Sequence, residues 1–252
     1  MSEQLKSLRW YRELAERKGR LAAGAFLVEG DRAVRQVIAV SPENVIEILS
    51  VGGMLSLYGN YPVRTVTESQ FRYISRTQSP QGVMALVRLP ADVYSDRLPA
   101  DTGEKVLLLE DIQDPGNTGT LIRTAAAFGF SGVIMTENGA DPFSPKCVQS
   151  TAGSILSVWL RRTKDHLSMA AALKKNGYTI VAADLRGSAG PGVLRGVKKL
   201  VLALGNEAAG LSSPLLDMAD HRLRIPTLIE KAESLNVAAC GAILIYLSSD
   251  IS

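Results

Sequence analysis

Three polar turns in this sequence carry the side chains best suited to chemistry. Asp114-Pro-Gly-Asn117-Thr-Gly119 leads into a segment bearing Arg123, Leu204-Gly-Asn-Glu207 ends an apolar run, and Ile225-Pro226 is followed by Ser234-Leu-Asn236. Arg123 lies among Leu, Ile, Ala and Phe, a setting in which a guanidinium usually finds a carboxylate or a phosphate. Glu207 offers a charge that can pair with it, and Gly205 lets the backbone pass close to a flat ligand. Singly, each turn has a plainer account. Asn117 or Thr118 can cap a helix, Glu207 can favour a helix dipole, and Ser234 can be a cap. Together they suggest one pocket assembled from distant segments. Other chemistries fall away: there is no Gly-Lys-Ser/Thr, and Gly116-x-x-Gly119 is not the GxGxxG of a dinucleotide fold. Cys147 and Cys240 form no CxxC pair and His166 and His221 lie near neither, which argues against a zinc site or a Cys-His dyad. No metal is expected.

The elements that must position these turns alternate. Upstream, a basic helix leads to a strand at 25–29 and a helix opening near Gly30-Asp31, with Ala33, Val34, Val37 and Ile38 at helical spacing. Strands are expected at 46–49 and 83–87, with a helix at 68–75 between them. Residues 89–104 hold two prolines, a glycine and four acids and read as a linker. Downstream, strands are expected at 106–109, 132–135, 154–160, 179–183, 200–204 and 223–225, with helices at 118–128, 146–153 and 166–176 and an apolar helix after Asn236. The predicted organisation is a small N-terminal α/β domain at 1–90, a linker at 91–104 and a second domain at 105–252. This alternation implies a mainly parallel sheet flanked by helices, in which ligands bind beyond the carboxyl ends of the strands. All three turns occupy that kind of position.

Composition sets the remaining bounds. The 252 residues, 46% of them hydrophobic, suffice for a globular core, and the longest apolar runs stop well short of the roughly 18 residues of a membrane span. Without the apolar segment of a secretory signal, the chain reads as cytoplasmic. The net charge of +3 announces no nucleic-acid partner, but Lys6, Arg9, Arg12, Arg17, Lys18 and Arg20 against Glu3, Glu13 and Glu16 make the first 20 residues basic. Such a cluster suits phosphates as well as it suits a solvated helix with internal ion pairs.

The stretches 114–129, 204–211 and 225–239 resemble, in order, spacing and chemistry, the three motifs of the SpoU (TrmH) family of RNA ribose methyltransferases in the SPOUT superfamily. Lys18-Gly-Arg20, Phe26-Leu-Val-Glu-Gly30 and Thr77-Gln-Ser-Pro-Gln-Gly82 resemble that family's N-terminal RNA substrate-binding domain. The resemblance implies a homodimer that moves a methyl group from S-adenosylmethionine to a ribose 2′-hydroxyl, usually in ribosomal RNA, with a trefoil-knotted catalytic half. It assigns the adenosine contacts to Gly205, Ile225 and Leu235, the polar catalytic set to Asn117, Arg123, Glu207, Ser234 and Asn236, and RNA contacts to Lys18 and Arg20. Guanidinium is a poor general base, so Arg123 is expected to bind the target phosphate or a developing alkoxide, with Glu207 orienting it. Two departures stand out. The third turn lacks the family's usual glycine and has one extra residue, and Gln149 and Thr151 stand where arginine and serine are frequent. A transfer-RNA methyltransferase and a non-catalytic RNA-binding protein are the alternative readings.

Overall fold

The structure, a computed structural model, describes residues 6–52, 58–228, 230–231 and 235–249. It separates into two compact units, Met1–Ala91 with Asp141–Ser157, and Asp92–Ala140 with Val158–Ser252.

The first unit opens with α1 (Leu8–Glu13) and α2 (Arg17–Ala23), and Ser7 caps α1 by accepting from the Trp10 amide at 3.2 Å. Then follow β1 (Ala25–Glu29), α3 (Asp31–Val40), β2 (Val45–Val51), β3 (Val63–Val66), α4 (Glu68–Ile74) and β4 (Val83–Arg88). The sheet order is β1-β4-β2-β3, with β4 antiparallel to both neighbours and β2 parallel to β3. The run Val83-Met-Ala-Leu-Val87 is buried throughout because β4 lies in the interior of that sheet. Thr67 and Gln70 exchange reciprocal bonds as a capping box that starts α4. Tyr11, Leu14, Leu49, Phe71, Ile74 and Met84 meet in the core beneath.

The second unit is built of β5 (Lys105–Leu109), α5 (Pro115–Ala127) and β6 (Gly132–Thr136), after which the chain supplies α6 (Pro145–Thr151) to the first unit. It resumes with β7 (Trp159–Thr163), α7 (His166–Lys175), β8 (Thr179–Ala183), β9 (Leu200–Leu204), α8 (Ser213–Met218), β10 (His221–Leu223) and α9 (Val237–Leu247). All six strands are parallel, in the order β10-β8-β9-β5-β6-β7. Leu-Val-Leu-Ala-Leu in β9 and Lys-Val-Leu-Leu-Leu in β5 are buried at every position, the pattern of strands covered on both faces. The chain leaves β5 toward β6 on one side and leaves β9 toward β10 on the other. This places a topological switch between β9 and β5, whose carboxyl ends are where such sheets bind ligands.

Two strand expectations shift. The strand expected at 154–160 is a 3-10 turn at Ser154–Leu156, and β7 lies at Trp159–Thr163. Ala152 and Gly153 both take positive φ and end α6 in a turn, and the two arginines of β7 are buried with polar partners, Arg162 through one of its guanidinium nitrogens. Arg161 reaches the Arg97 carbonyl at 2.7 Å and Asp92 at 2.5 Å, and Arg162 reaches the carbonyls of Glu137 and Gly139. β10 is His221–Leu223 rather than 223–225, because the Arg224 amide turns to the Ala189 carbonyl at 2.9 Å and Pro226 has no amide hydrogen to offer. The stretch after residue 91 lies along β7. The Val93 carbonyl accepts from Arg162 N at 2.6 Å, and Thr163 Oγ1 donates to Asp96 at 2.5 Å. Residues 141–157 pack in the first unit, where Phe143 meets Phe26 ring to ring at 4.7 Å.

Candidate functional site: a cavity at the carboxyl ends of the parallel sheet

Three segments leave the sheet side by side and close around a cavity of about 430 Å3. The loop after β8 contributes Asp184 to Arg186, the loop after β9 Gly205 to Leu211, and the segment after β10 together with the start of α9 Ile225, Leu235, Asn236 and Val237. The walls are apolar at Leu204, Leu211, Leu223, Ile225, Leu235 and Leu244. A volume of this size, greasy walls and a rim of backbone and polar groups suit a small planar ligand. Gly205, Ile225 and Leu235 all line this cavity.

The loop after β9 is tightly wound. Asn206 and Gly210 exchange backbone bonds at 3.1 and 2.9 Å, and Asn206 Oδ1 accepts from the amides of Ala208 and Ala209, both at 2.9 Å. A Cβ on Gly205 would fall 2.3 Å from the Gly210 carbonyl carbon and 2.4 Å from the Leu211 nitrogen. Glycine is thus required by close backbone approach. Asn206 Nδ2 donates to the Asp111 carbonyl at 2.9 Å. Asp111 takes φ 56, a left-handed conformation supported by Thr136, whose hydroxyl accepts from the Asp111 amide at 2.7 Å and donates to its carboxylate at 2.5 Å.

The polar residues of the three turns meet in one hydrogen-bond chain. Asp114 caps α5 by accepting from the amides of Gly116 and Asn117 at 2.6 and 3.0 Å, which fixes Asn117 in the first helical turn. Asn117 Nδ2 donates to Glu207 Oε1 at 3.0 Å, and Asn117 Oδ1 accepts from Asn236 Nδ2 at 3.2 Å. Asn236 in turn caps α9, its Oδ1 accepting from Ala238 N at 2.9 Å. Asn117, Glu207 and Asn236, distant in sequence, are therefore brought together at the cavity mouth. The pair expected between Glu207 and Arg123 is not formed; Glu207 is engaged by Asn117 instead. Arg123 is exposed on α5 and has no hydrogen-bond or ion-pair partner among the described residues. Ser234 lies outside the described residues.

In the first unit the two basic candidates separate. Lys18 is exposed on α2. Arg20 is a correction: it is 2% exposed, donates to the carbonyls of Leu14 and Ala15 at 2.9 and 2.7 Å, and pairs with Asp141 at 2.6 Å. Its guanidinium is engaged inside the fold rather than presented at the surface.

Several groups near the cavity were not singled out from sequence. Glu110, 5% exposed, accepts from His166 Nε2 at 2.8 Å and from the amide and hydroxyl of Ser212, both at 2.7 Å. Burial acts to raise its pKa, but these donors together hold it below the ordinary carboxylate value. Asp184 is likewise held low: burial is outweighed by the Arg186 amide and by Arg222, which donates twice, at 2.9 and 2.7 Å. Burial pushes the Cys240 thiol up, so this wall residue stays neutral. No sequence signal joins these partners, which are separated by tens of residues. Among the described residues no three His, Cys, Asp or Glu side chains are grouped to hold a metal, and no helix is long and apolar enough to cross a membrane.

Comparison with known proteins agrees with this geometry. Residues 104–246 match the SpoU rRNA Methylase family and residues 4–85 the MRM3-like substrate binding domain. The chain is 33% identical, over 94% of its own length and 93% of the relative's, to the 23S rRNA (guanosine(2553)-2'-O)-methyltransferase RlmP of Bacillus subtilis (strain 168). A TrmH-family structure from Porphyromonas gingivalis superposes with a TM-score of 0.84 at 32% identity, covering 98% of this chain and 99% of that one. The SpoU methyltransferase AviRb of Streptomyces viridochromogenes, solved in complex with AdoMet, superposes with a TM-score of 0.82 at 26% identity, with 97% of each chain covered.

Proposed function

Because the chain belongs to the SpoU rRNA methylase family, with a substrate-binding domain ahead of the catalytic one, we propose that it transfers a methyl group from S-adenosylmethionine to a ribose 2′-hydroxyl of ribosomal RNA. The observation that carries this reading is the Glu207–Asn117–Asn236 chain set at the mouth of a cavity lined by Gly205, Ile225 and Leu235. The cavity suits the cofactor: about 430 Å3 in volume, it is walled by apolar side chains and lined by the loop that runs from Gly205 to Leu211.

S-adenosylmethionine, when bound, supplies a methyl on a sulfonium that is already a good electrophile. The protein's part is to hold and align. Gly205, Ile225 and Leu235 would grip the adenosine moiety through their backbones and the apolar wall. Asn117 keeps Glu207 fixed at the rim, and the exposed Arg123 guanidinium, protonated at any working pH, is available to the RNA phosphate or to negative charge growing on the ribose oxygen. Alignment of this kind accounts for much of the acceleration expected of such a site.

The first unit supports the RNA side of the reading. Glu29, at the end of β1, accepts from Ser75 Oγ at 2.8 and 2.9 Å and from Thr77 Oγ1 at 2.7 Å, and so pins the loop that carries exposed Arg76, Gln78, Ser79 and Gln81. With Lys18 these side chains suit phosphates and unstacked bases. The exposed Ile243, Tyr246 and Leu247 on α9 support a homodimer, and family membership supports a knotted catalytic half and a cytoplasmic enzyme.

The test is to incubate the purified protein with S-adenosylmethionine and ribosomal or transfer RNA and map 2′-O-methyl positions. Methylation of ribosomal RNA alone is expected, and methylation of transfer RNA alone would replace the substrate reading. Arg123→Ala should lower turnover by about a hundredfold or more with cofactor affinity unchanged. Near-full turnover with normal RNA affinity would remove Arg123 from its role.

A further inference from the structure

We infer that Glu110 is a positioning residue that sets the cofactor-facing loop through Ser212, an assignment that rests on the cofactor reading above. Besides the bond from Asn117 to Glu207, the loop 205–211 is tied at its start and at its exit, and both of these ties end on the dipeptide 110–111. At its start Asn206 Nδ2 donates to the Asp111 carbonyl at 2.9 Å, and at its exit the Ser212 amide and hydroxyl both donate to Glu110 at 2.7 Å. Between these ties the loop closes on itself through the paired Asn206 and Gly210 backbones. Gly205, Asn206, Glu207, Ala208, Ala209, Gly210 and Leu211 all line the cavity, so the loop's path determines the shape of that wall.

The chemistry of the tie makes Glu110 more than packing. A carboxylate 5% exposed is costly unless its oxygens are filled, and here three donors fill them. Ser212 supplies two, so the loop's exit is held in both backbone and side chain. His166 Nε2 supplies the third and holds the carboxylate against rotation. His166 Nδ1 is buried with no partner among the described residues, which leaves Glu110 as the one group there that orients the ring. Nothing in this cluster reaches the cavity lining, so Glu110 acts through the loop and not by touching a ligand.

The test uses the full chain, with S-adenosylmethionine titrated by calorimetry and hydrogen exchange followed at the Ser212 amide. Glu110→Gln keeps the side chain's volume but cannot accept both Ser212 bonds and the His166 bond. It should raise the cofactor Kd about tenfold and speed exchange at Ser212 by a similar factor. Ser212→Ala, a milder change that removes only the hydroxyl, should raise Kd about threefold, and the double variant should be no weaker than Glu110→Gln alone. At saturating cofactor, kcat should stay within about twofold of wild type, because the reacting groups are untouched. Leu160→Ala, a cavity in β7, serves as a control that destabilises the same unit. Unchanged cofactor Kd in both Glu110→Gln and Ser212→Ala would overturn the assignment, as would an equal loss in Leu160→Ala. If the wild-type protein itself bound no cofactor, the proposed function would fall instead, and exchange at Ser212 would still report on the tie.

Discussion

Glu29 and Glu110 occupy corresponding places in the two units, one at the end of β1 and the other one residue past β5, and each holds a loop. They hold it differently. Glu29 accepts only side-chain hydroxyls, from Ser75 and Thr77, and leaves the backbone of its loop to run outward with Arg76, Gln78, Ser79 and Gln81 exposed. Glu110 accepts a backbone amide as well as a hydroxyl and a ring nitrogen, and the loop it holds folds back to line a cavity. Tying side chains presents a row of side chains, which suits a polymer with phosphates and splayed bases. Tying the backbone shapes a wall, which suits a small molecule. The two devices should therefore fail separately.

The strongest way to break that separation is Gly205→Ala. The added Cβ would lie 2.3 Å from the Gly210 carbonyl carbon and 2.5 Å from its oxygen, both backbone atoms that cannot swing aside, so the loop must open. Cofactor affinity should fall by about a hundredfold, the equivalent of two or three hydrogen bonds lost together. RNA affinity, measured by filter binding without cofactor, should remain within about twofold of wild type. An equal fall in RNA affinity would mean that the β9 loop also carries the RNA site.

Much of this was legible in the sequence, for reasons that also mark where it stopped being so. The strands β5 and β9 are unbroken apolar runs ended by polar turns, and α5 and α9 follow the turns expected to open them, although their caps are Asp114 and Asn236 rather than Asn117 or Thr118 and Ser234. Local signals were enough there. β7 was displaced because the expected strand stopped short of Arg161 and Arg162, both of which are buried through carbonyls and Asp92 that only the fold supplies. Arg20, given an RNA contact by the family resemblance, shows the same limit: its partner Asp141 lies 121 residues away. β3 and α8, of four and six residues, are too short for periodicity to reveal, and β3 exists through its pairing with β2. The candidate site shows the same division. The members of the three turns were visible as types at a spacing, but the Asn117 bridge and the Glu110 tie depend on long-range contacts that no local pattern encodes.

A smaller effect probes the other side of the comparison. Glu29→Gln should weaken the hydroxyl ties to Ser75 and Thr77 and raise the RNA Kd about fivefold while leaving cofactor affinity unchanged. Arg76→Ala, which spares the pin, should weaken RNA binding across sequences and lower the slope of log affinity against log salt by about 1. If Glu29→Gln weakened RNA binding while Arg76→Ala left both affinity and salt slope intact, the loop would be a structural brace and the RNA surface would lie elsewhere in the unit, around Lys18 for example.

The least drastic comparison uses pH, because the two units carry opposite titrations. In the second unit Glu110, Asp184 and Asp220 are held below the ordinary carboxylate range: burial opposes this in each, and donors from His166 and Ser212, from Arg186 and Arg222, and from Lys174 and the Ile180 amide outweigh it. A pKa lowered by folding contributes stability above the unfolded value, and that contribution is lost as pH falls through the folded one. In the first unit Tyr11 and Tyr58 are both pushed up to about 12, by burial first and then by hydrogen bonds to Glu47 and Asp31. A raised pKa contributes below the unfolded value, about 10 for tyrosine, and is lost as pH climbs toward the folded value. Asp31 is also lowered, by its bonds from Tyr58 and Arg35, but it is well solvated and carries little weight. Hydrogen exchange should therefore show β8, β9 and the loop at 205–212 losing protection first in acid, and α1 and β2 losing it first in alkali. Tyr11→Phe should shift the alkaline loss upward in pH without moving the acid one. Were both units to open together at either extreme, the pinned loops would belong to one cooperative structure, and the separate failure expected of Gly205→Ala and Glu29→Gln could not be observed near those limits.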